Sequence, residues 1–242
     1  MRVTNQTSVR PTNHLLEIAN QKHIPSLDGL RGVSIIMVVV SHLTLSSNYF
    51  YTMIFNGPLG VNIFFVISGF LITSLCLKEK LLTGTISLKD FYIRRVLRIF
   101  PVAYLYIAVV FILDHFFHLQ IAWFQYLAAL FYIMNFSYFR AHGDTVQLGH
   151  YWSLSIEEQF YIIFPFFLKK NYKIFYWAVI FIVIVLPVLC GLQELIQSIN
   201  HGVFYYFTHY FIKFQSIATG CLLSMLILKK GLTTNGCYRL RL

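Results

Sequence analysis

The sequence predicts an all-α protein, a polytopic transmembrane helical bundle with about six full spans plus one re-entrant or interfacial segment. Three observations predict it. Hydrophobic residues make up 57% of the 242 and charged residues only 12%, with a mean hydropathy of +0.66, far from the balance of a soluble domain. The apolar residues fall in runs close to the ~20 residues that cross a hydrocarbon core. The basic residues gather in short segments between those runs, which is the positive-inside pattern. A formal net charge of +10 would by itself suggest nucleic acid, but its dispersal among short loops argues against a nucleic-acid partner. The partner these numbers imply is the lipid bilayer.

The elements follow in order. Residues 1–22 are polar, with no apolar stretch near Met1, and read as a cytoplasmic N-terminal segment, not a cleavable signal peptide. Residues 30–48 and 58–77 are the first two spans. Lys78, Lys80, Lys89, Arg94, Arg95 and Arg98 then make a basic, cytoplasmic segment. Within it Ser87 to Asp90 (SLKD) reads as a helix N-cap, and FYIRRVLRIF as a helix lying in the interface. Pro101 opens a third span, to about Phe117. Residues 121–139 are apolar, but a crossing there would put Lys169, Lys170 and Lys173 outside, so a re-entrant or interfacial segment is the expectation. Spans at 152–168, 174–191 and 203–228 complete the bundle, and 231–242 is a short tail. The loops 49–57, 140–151 and 192–202 then face out, with Arg140 as their single basic residue.

Three constellations could carry chemistry. Arg31 and His42 flank ten intervening residues, close to three helical turns, so they share one face about 16 Å apart along the axis. Titratable groups at membrane depth are costly and by default mark function. A histidine with its unperturbed pKa near 6.5 suits removal of a hydroxyl proton, and Arg31 would orient a partner or hold developing negative charge. The alternative treats Arg31 as an interfacial anchor and His42 as a core histidine. In the second constellation, Arg95 and Arg98 stand one turn apart beside Arg94, a pattern suited to phosphates or to anionic headgroups. The third is HYWSLSIEEQFYIIFP, residues 150–165, where Glu157 and Glu158 interrupt an apolar run. Ser155 and Glu158 fit a capping box, which leaves Glu157 as the stronger functional candidate, with Trp152 able to stack on a saccharide.

Other polar residues carry less. Asp114, His115 and His118 close the third span and read as a water-facing helix end, so no metal ligand set is assigned. His201 and His209 are lone histidines. Asn62 lies on the second span, where a buried amide usually bridges helices. Cys76, Cys190, Cys221 and Cys237 show no metal or disulfide spacing.

Taken together, the segments resemble the membrane acyltransferase-3 family, which includes O-antigen and other polysaccharide O-acetyltransferases. The resemblance rests on LDGLRG with Arg31 and His42, GVNIFFVISGFLI, FYIRRVLRIFP and HYWSLSIEEQFY, in order over residues 23–168, with KFQSIATGCLLS extending it to about residue 228. It implies a transmembrane acyltransferase domain over 23–230 in the bacterial cytoplasmic membrane, N-terminus inside. Its co-substrate would be cytoplasmic acyl-CoA, most simply acetyl-CoA, and its acceptor a hydroxyl of a cell-surface saccharide. His42 would be base or acyl relay, assisted by Arg31. Arg94, Arg95 and Arg98 would hold the coenzyme A phosphates. Glu157 or Glu158, with Trp152, Asn62 and His150, would serve the acceptor. The topology places the arginines inside and the glutamates near the outer face, so donor and acceptor would arrive from opposite sides.

This sequence departs from the family in three places. Asn62 stands where Asp is usual, and Lys213 and Gln215 stand where Arg and Asp are expected. Family members also have about ten helices, so a chain ending at Leu242 reads as C-terminally truncated, and homo-oligomerisation would be one way to complete the bundle. The rival readings are a glycan or acyl carrier, a flippase without covalent chemistry, and an inactive remnant.

Overall fold

The computed structural model describes residues 25–43, 53–136, 146–195 and 210–234. The 1–22 segment, Arg140, His201, His209 and Cys237 lie outside the described residues. Those described form helices and turns, with no strand among them. They belong to two compact units, Met1–Leu77 with Ser216–Leu242, and Lys78–Gln215.

The first unit holds α1 (Pro25–His42), most of α2 (Gly57–Thr83) and α9 (Gln215–Thr234). α2 and α9 are held together by small residues. A Cβ on Gly69 would collide with the carbonyl oxygen of Ile217, and one on Gly220 with that of Val66, so the two backbones touch. Between apolar helices such close approach replaces the hydrophobic drive that lipid cannot supply. Polar side chains finish the contact. Ser216 donates to Asn62 Oδ1 (2.9 Å), the Ser74 and Ser224 hydroxyls meet at 2.8 Å, and Cys221 Sγ donates to Gly69 O (3.6 Å). Partner numbers rise together along both helices, so they run parallel. Asn62 bridges helices as expected, but it is exposed, not buried, because it lies at the rim of the contact. Gly60 brings α1 onto α2, against the Ser34 carbonyl.

The second unit contains α3 (Leu88–Phe117), α4 (Trp123–Leu130), the short α5 (Val146–Gly149), α6 (Tyr151–Lys170), α7 (Tyr172–Ile180), a π-helical turn (Phe181–Val185), α8 (Leu186–Leu195) and a 3-10 turn (Ile212–Phe214). Ser87 caps α3 as its sequence predicts: its hydroxyl accepts from Asp90 N (3.4 Å) and donates to Asp90 Oδ2 (2.6 Å), while its own N–H goes to Glu79 (2.7 Å). The expected interfacial helix and third span are in fact one helix. α3 continues through Pro101, and its 30 residues rise about 45 Å, well beyond the ~30 Å hydrocarbon. Asn171 alone separates α6 from α7, its Oδ1 accepting from Lys173 N and Ile174 N (2.9 and 3.2 Å). Lys80 donates to the Leu168 carbonyl (3.2 Å) in the last turn of α6, where a cation suits the helix end.

Two local expectations are corrected. Ser155 and Glu158 form no capping box: α6 begins at Tyr151, and the buried Ser155 hydroxyl donates to Tyr151 O (2.8 Å) and accepts from Met134 N (3.2 Å). Of the six full spans expected, three helices are long and apolar enough to cross a membrane among the described residues: Gly57–Thr83, Leu88–Phe117 and Tyr172–Gln193. α1 and α6 are 18 and 20 residues long, but Asp28, Arg31 and Ser34 dilute one, and Ser155, Glu157, Glu158 and Gln159 the other. Residues 121–139 contain the eight-residue α4, which rises only about 12 Å.

α4 ends in a Schellman turn, with Ile133 N donating to Ala128 O (2.9 Å) and Tyr132 N to Ala129 O (3.2 Å). The left-handed position, φ 54°, is held by Tyr132 where glycine is usual, at a cost of about 1–2 kcal/mol.

The helix contact yields a prediction. Gly220→Ala should lower stability by about 1–3 kcal/mol through the collision with Val66. Gly191→Ala, where a Cβ meets nothing within 4 Å, should leave stability unchanged or slightly raised. Thermal unfolding of the two variants in detergent checks the difference.

Candidate functional site

The second unit brings together residues that lie far apart in sequence. Arg95, on the second turn of α3, places its guanidinium against two neighbouring carboxylates of α6. One terminal nitrogen lies 3.3 Å from Glu157 Oε1 and 3.3 Å from Glu158 Oε1, and Arg95 Nε donates to Glu158 Oε1 at 3.3 Å. The side chains are 15%, 7% and 8% exposed, so little water screens the group. Tyr161 closes it. The Arg95 guanidinium carbon sits 3.6 Å above the Tyr161 ring, and the Tyr161 hydroxyl donates to Glu157 Oε1 at 2.6 Å. Glu157 and Tyr161 are one turn apart on α6, which places them on one face. With both carboxylates ionised the cluster has one anion more than its cation balances.

This arrangement overturns one expectation. Arginines inside and glutamates near the outer face would stand on opposite sides of a membrane, yet Arg95 and both glutamates are in contact and share one depth. The reason is that α3 begins at Leu88, well before Pro101, and carries Arg95 onto α6. Glu158, which the sequence makes a cap, is a partner of Arg95. Arg94 and Arg98 are exposed one turn apart, and Arg94 has only a long contact to Glu79 (3.9 Å). The cationic face open to a ligand therefore consists of Arg94 and Arg98.

In the first unit, Arg31 donates to Ser68 Oγ (3.1 Å) and lies over the Phe64 ring (5.5 Å). His42 is exposed at the end of α1, and its Nδ1 lies 2.7 Å from the Val38 carbonyl. A carbonyl can only accept, so Nδ1 is the donor in this contact, which in the neutral ring leaves Nε2 as the basic nitrogen.

The remaining predicted residues sit around the aromatic core of the second unit. His150 immediately precedes α6, exposed, with its ring edge-to-face on Tyr106 at 5.1 Å. Trp152 is half-buried against a cluster that includes Tyr132 and Tyr151. Asp114 is a structural acceptor, taking Tyr126 Oη (3.0 Å) and Ile121 N (3.5 Å). Sequence reasoning missed a polar network: the Asn135 and Gln159 amides exchange two bonds of 2.9 Å, Tyr210 donates to Gln159 (2.8 Å), and Lys213 donates to the Asn135 carbonyl (2.8 Å). Gln159 follows the two glutamates directly, which was its one available signal.

Comparison with known proteins agrees with these motifs. A family model described as an acyltransferase domain, the acyltransferase-3 model, matches residues 24–232. The chain belongs to the acyltransferase-3 family. This acyltransferase-3 chain is 36% identical over 238 residues to a candidate O-acetyltransferase of Staphylococcus aureus strain COL, covering 89% of itself and 37% of that relative. It is 41% identical over 159 residues to the peptidoglycan O-acetyltransferase OatA of Listeria monocytogenes, 62% of this chain and 25% of that protein. A candidate peptidoglycan O-acetyltransferase of Bacillus subtilis strain 168 is 37% identical over 160 residues, 62% of this chain and 24% of the relative. The acyltransferase-3 chain thus spans about a quarter to somewhat over a third of these relatives' lengths. No solved structure matches it.

Removing Arg95 leaves two adjacent buried carboxylates without their cation. Arg95→Leu should therefore lower stability by about 3–5 kcal/mol. Adding Glu157→Gln and Glu158→Gln should recover most of that loss, as thermal unfolding of the single and triple variants would measure. Arg95→Lys should fall between wild type and Arg95→Leu, because an ammonium cannot lie flat on Tyr161 and reach both carboxylates.

Proposed function

We propose that this chain is the membrane part of an O-acyltransferase that moves an acetyl group from acetyl-CoA to a hydroxyl of a bacterial cell-envelope saccharide. The observation that carries this reading is the His42 ring: the bond from Nδ1–H to Val38 O leaves Nε2 as an available base on the exposed end of α1. Nε2 takes the proton of the acceptor hydroxyl as its oxygen attacks the thioester carbonyl carbon. The C–S bond breaks, the coenzyme A sulfur leaves as thiolate, and the imidazolium returns a proton to it. The products are an O-acetyl ester and free coenzyme A.

Arg94 and Arg98 hold the phosphates of the co-substrate, since both are exposed on one helix face and a guanidinium fork matches phosphate oxygens. Arg31, fixed by Ser68, supports charge that develops during transfer. Glu157 and Glu158 accept from acceptor hydroxyls, and Trp152 and His150 provide ring faces at the start of the same helix. Asn62 contributes an exposed amide in the first unit. Arg95 orients the two carboxylates and is a positioning residue, not a phosphate ligand. The protein sits in the cytoplasmic membrane as a multi-pass chain. The relatives named for peptidoglycan make peptidoglycan the first acceptor to test.

The test uses membranes expressing the chain, acetyl-labelled coenzyme A and peptidoglycan. Labelled ester and free coenzyme A should appear together. His42→Ala should lower transfer at least a hundredfold with thermal unfolding unchanged, in line with the loss of a general base. Label moving without coenzyme A release would instead identify a carrier. Arg94→Ala and Arg98→Ala should each raise KM for acetyl-CoA several-fold while kcat changes little.

A further inference from the structure

Tyr132 carries a hydroxyl that no described residue of the chain uses. The residue is 7% exposed, and its Oη is buried without a hydrogen-bond partner. Such groups are rare in folded proteins, and each needs a reason. The tyrosines around it have theirs: Tyr104 donates to Leu130 O (3.3 Å), Tyr151 to Ala103 O (2.7 Å) and Tyr161 to Glu157 (2.6 Å).

The side chain is also firmly held. Its ring stacks on Phe100, with centroids 5.4 Å apart and planes 27° apart, and tilts against Tyr104 at 6.3 Å. Its backbone occupies the left-handed region at φ 54°, and its carbonyl accepts from Gln159 Nε2 (2.8 Å). Gln159 sits on α6 beside Glu157 and Glu158, so the phenol is tied to the helix that carries the carboxylates. Phenylalanine would pack as well without stranding a polar atom, and glycine would suit the turn. The chain has neither, so two unfavourable features persist at one position beside the ion-pair cluster, as happens where structure serves a ligand.

The chemistry of the surrounding groups indicates which ligand. Carboxylate oxygens accept, and the Arg95 guanidinium already faces them, so a further partner for Glu157 and Glu158 brings O–H or N–H donors. A polyol does so, and it also offers oxygens that accept from a phenol. A thioester carbonyl brings no proton and answers only the phenol. Phe100, Tyr104 and Tyr132 add an aromatic wall that reaches the surface at Tyr104, 36% exposed, suited to the C–H face of a sugar ring.

We propose that Tyr132 is an acceptor-binding residue: its hydroxyl donates to an oxygen of the saccharide whose own hydroxyls donate to Glu157 and Glu158. This rests on the saccharide O-acetyltransferase reading, and the test separates the two. Tyr132→Phe removes an oxygen that has no hydrogen-bond partner among the described residues. Without substrate, its thermal unfolding should equal or exceed that of the wild type. In the labelled transfer assay, KM for peptidoglycan should rise about tenfold, the size of one lost hydrogen bond to a ligand, while KM for acetyl-CoA stays at the wild-type value. An unchanged peptidoglycan KM overturns the proposal. So does a variant that fails to fold or unfolds earlier, since the hydroxyl would then serve the fold. A wild-type chain that transfers nothing overturns the O-acetyltransferase reading and this proposal with it, whereas wild-type transfer matched by Tyr132→Phe overturns the role of Tyr132 alone.

Discussion

The second unit depends on one buried guanidinium. Arg95 is a cation in an apolar helix, tolerable because Glu157, Glu158 and the face of Tyr161 surround it within 3.6 Å. Ion pairs withdrawn from water are weak sources of stability, yet one missing partner exposes the full desolvation cost of the others. The pairing holds Arg95 of α3 against Glu157 and Glu158 of α6. The next residue of α6, Gln159, binds Asn135, Tyr210 and the carbonyl of Tyr132. Several of the most buried polar groups of the unit are thus linked to one side chain.

The first unit is built on a different constraint. Its helices meet where side chains are missing, at Gly60, Gly69 and Gly220, and hydroxyl and amide groups complete the contacts. Backbone proximity gives many weak contacts instead of one strong one. The two units illustrate both ways in which apolar helices associate when water is not available to drive them together. The acyltransferase-3 motifs divide between them: LDGLRG and GVNIFFVISGFLI in the first, FYIRRVLRIFP and HYWSLSIEEQFY in the second.

What the sequence made legible was local. Helices could be read from apolar runs, and the Ser87 cap from four residues. Pro101 marks a helix start less reliably than its position suggests: inside a membrane helix proline frees one carbonyl, which neighbouring groups or small backbone adjustments can satisfy, and α3 continues through it. Ser155 and Glu158 match a capping box in spacing, but the box needs a helix start, and α6 begins four residues earlier. The residue types of the candidate site were legible, and their pairings were not. Nothing near Arg95 announces that its partners lie more than sixty residues on. The tautomer of His42 is fixed by the Val38 carbonyl, a backbone atom with no sequence signature. Nothing in the sequence marks Tyr132, because the left-handed turn beneath it is normally signalled by glycine.

The separation between Arg95 and its carboxylates has a consequence in time. A ribosome completes α3 well before Glu157 exists, so the new helix meets the membrane carrying an unpaired guanidinium. An isolated arginine at depth is costly, but its long side chain can reach the headgroups from the early turns of a helix. Arg95 lies in the second turn of α3, where that reach is available. Contacts formed by neighbouring segments come together readily: Phe164 and Phe175 meet edge-to-face at 4.7 Å across the Asn171 hinge. The Arg95 cluster, by contrast, can close only once α6 has been synthesised, so it joins parts of the chain made far apart in time.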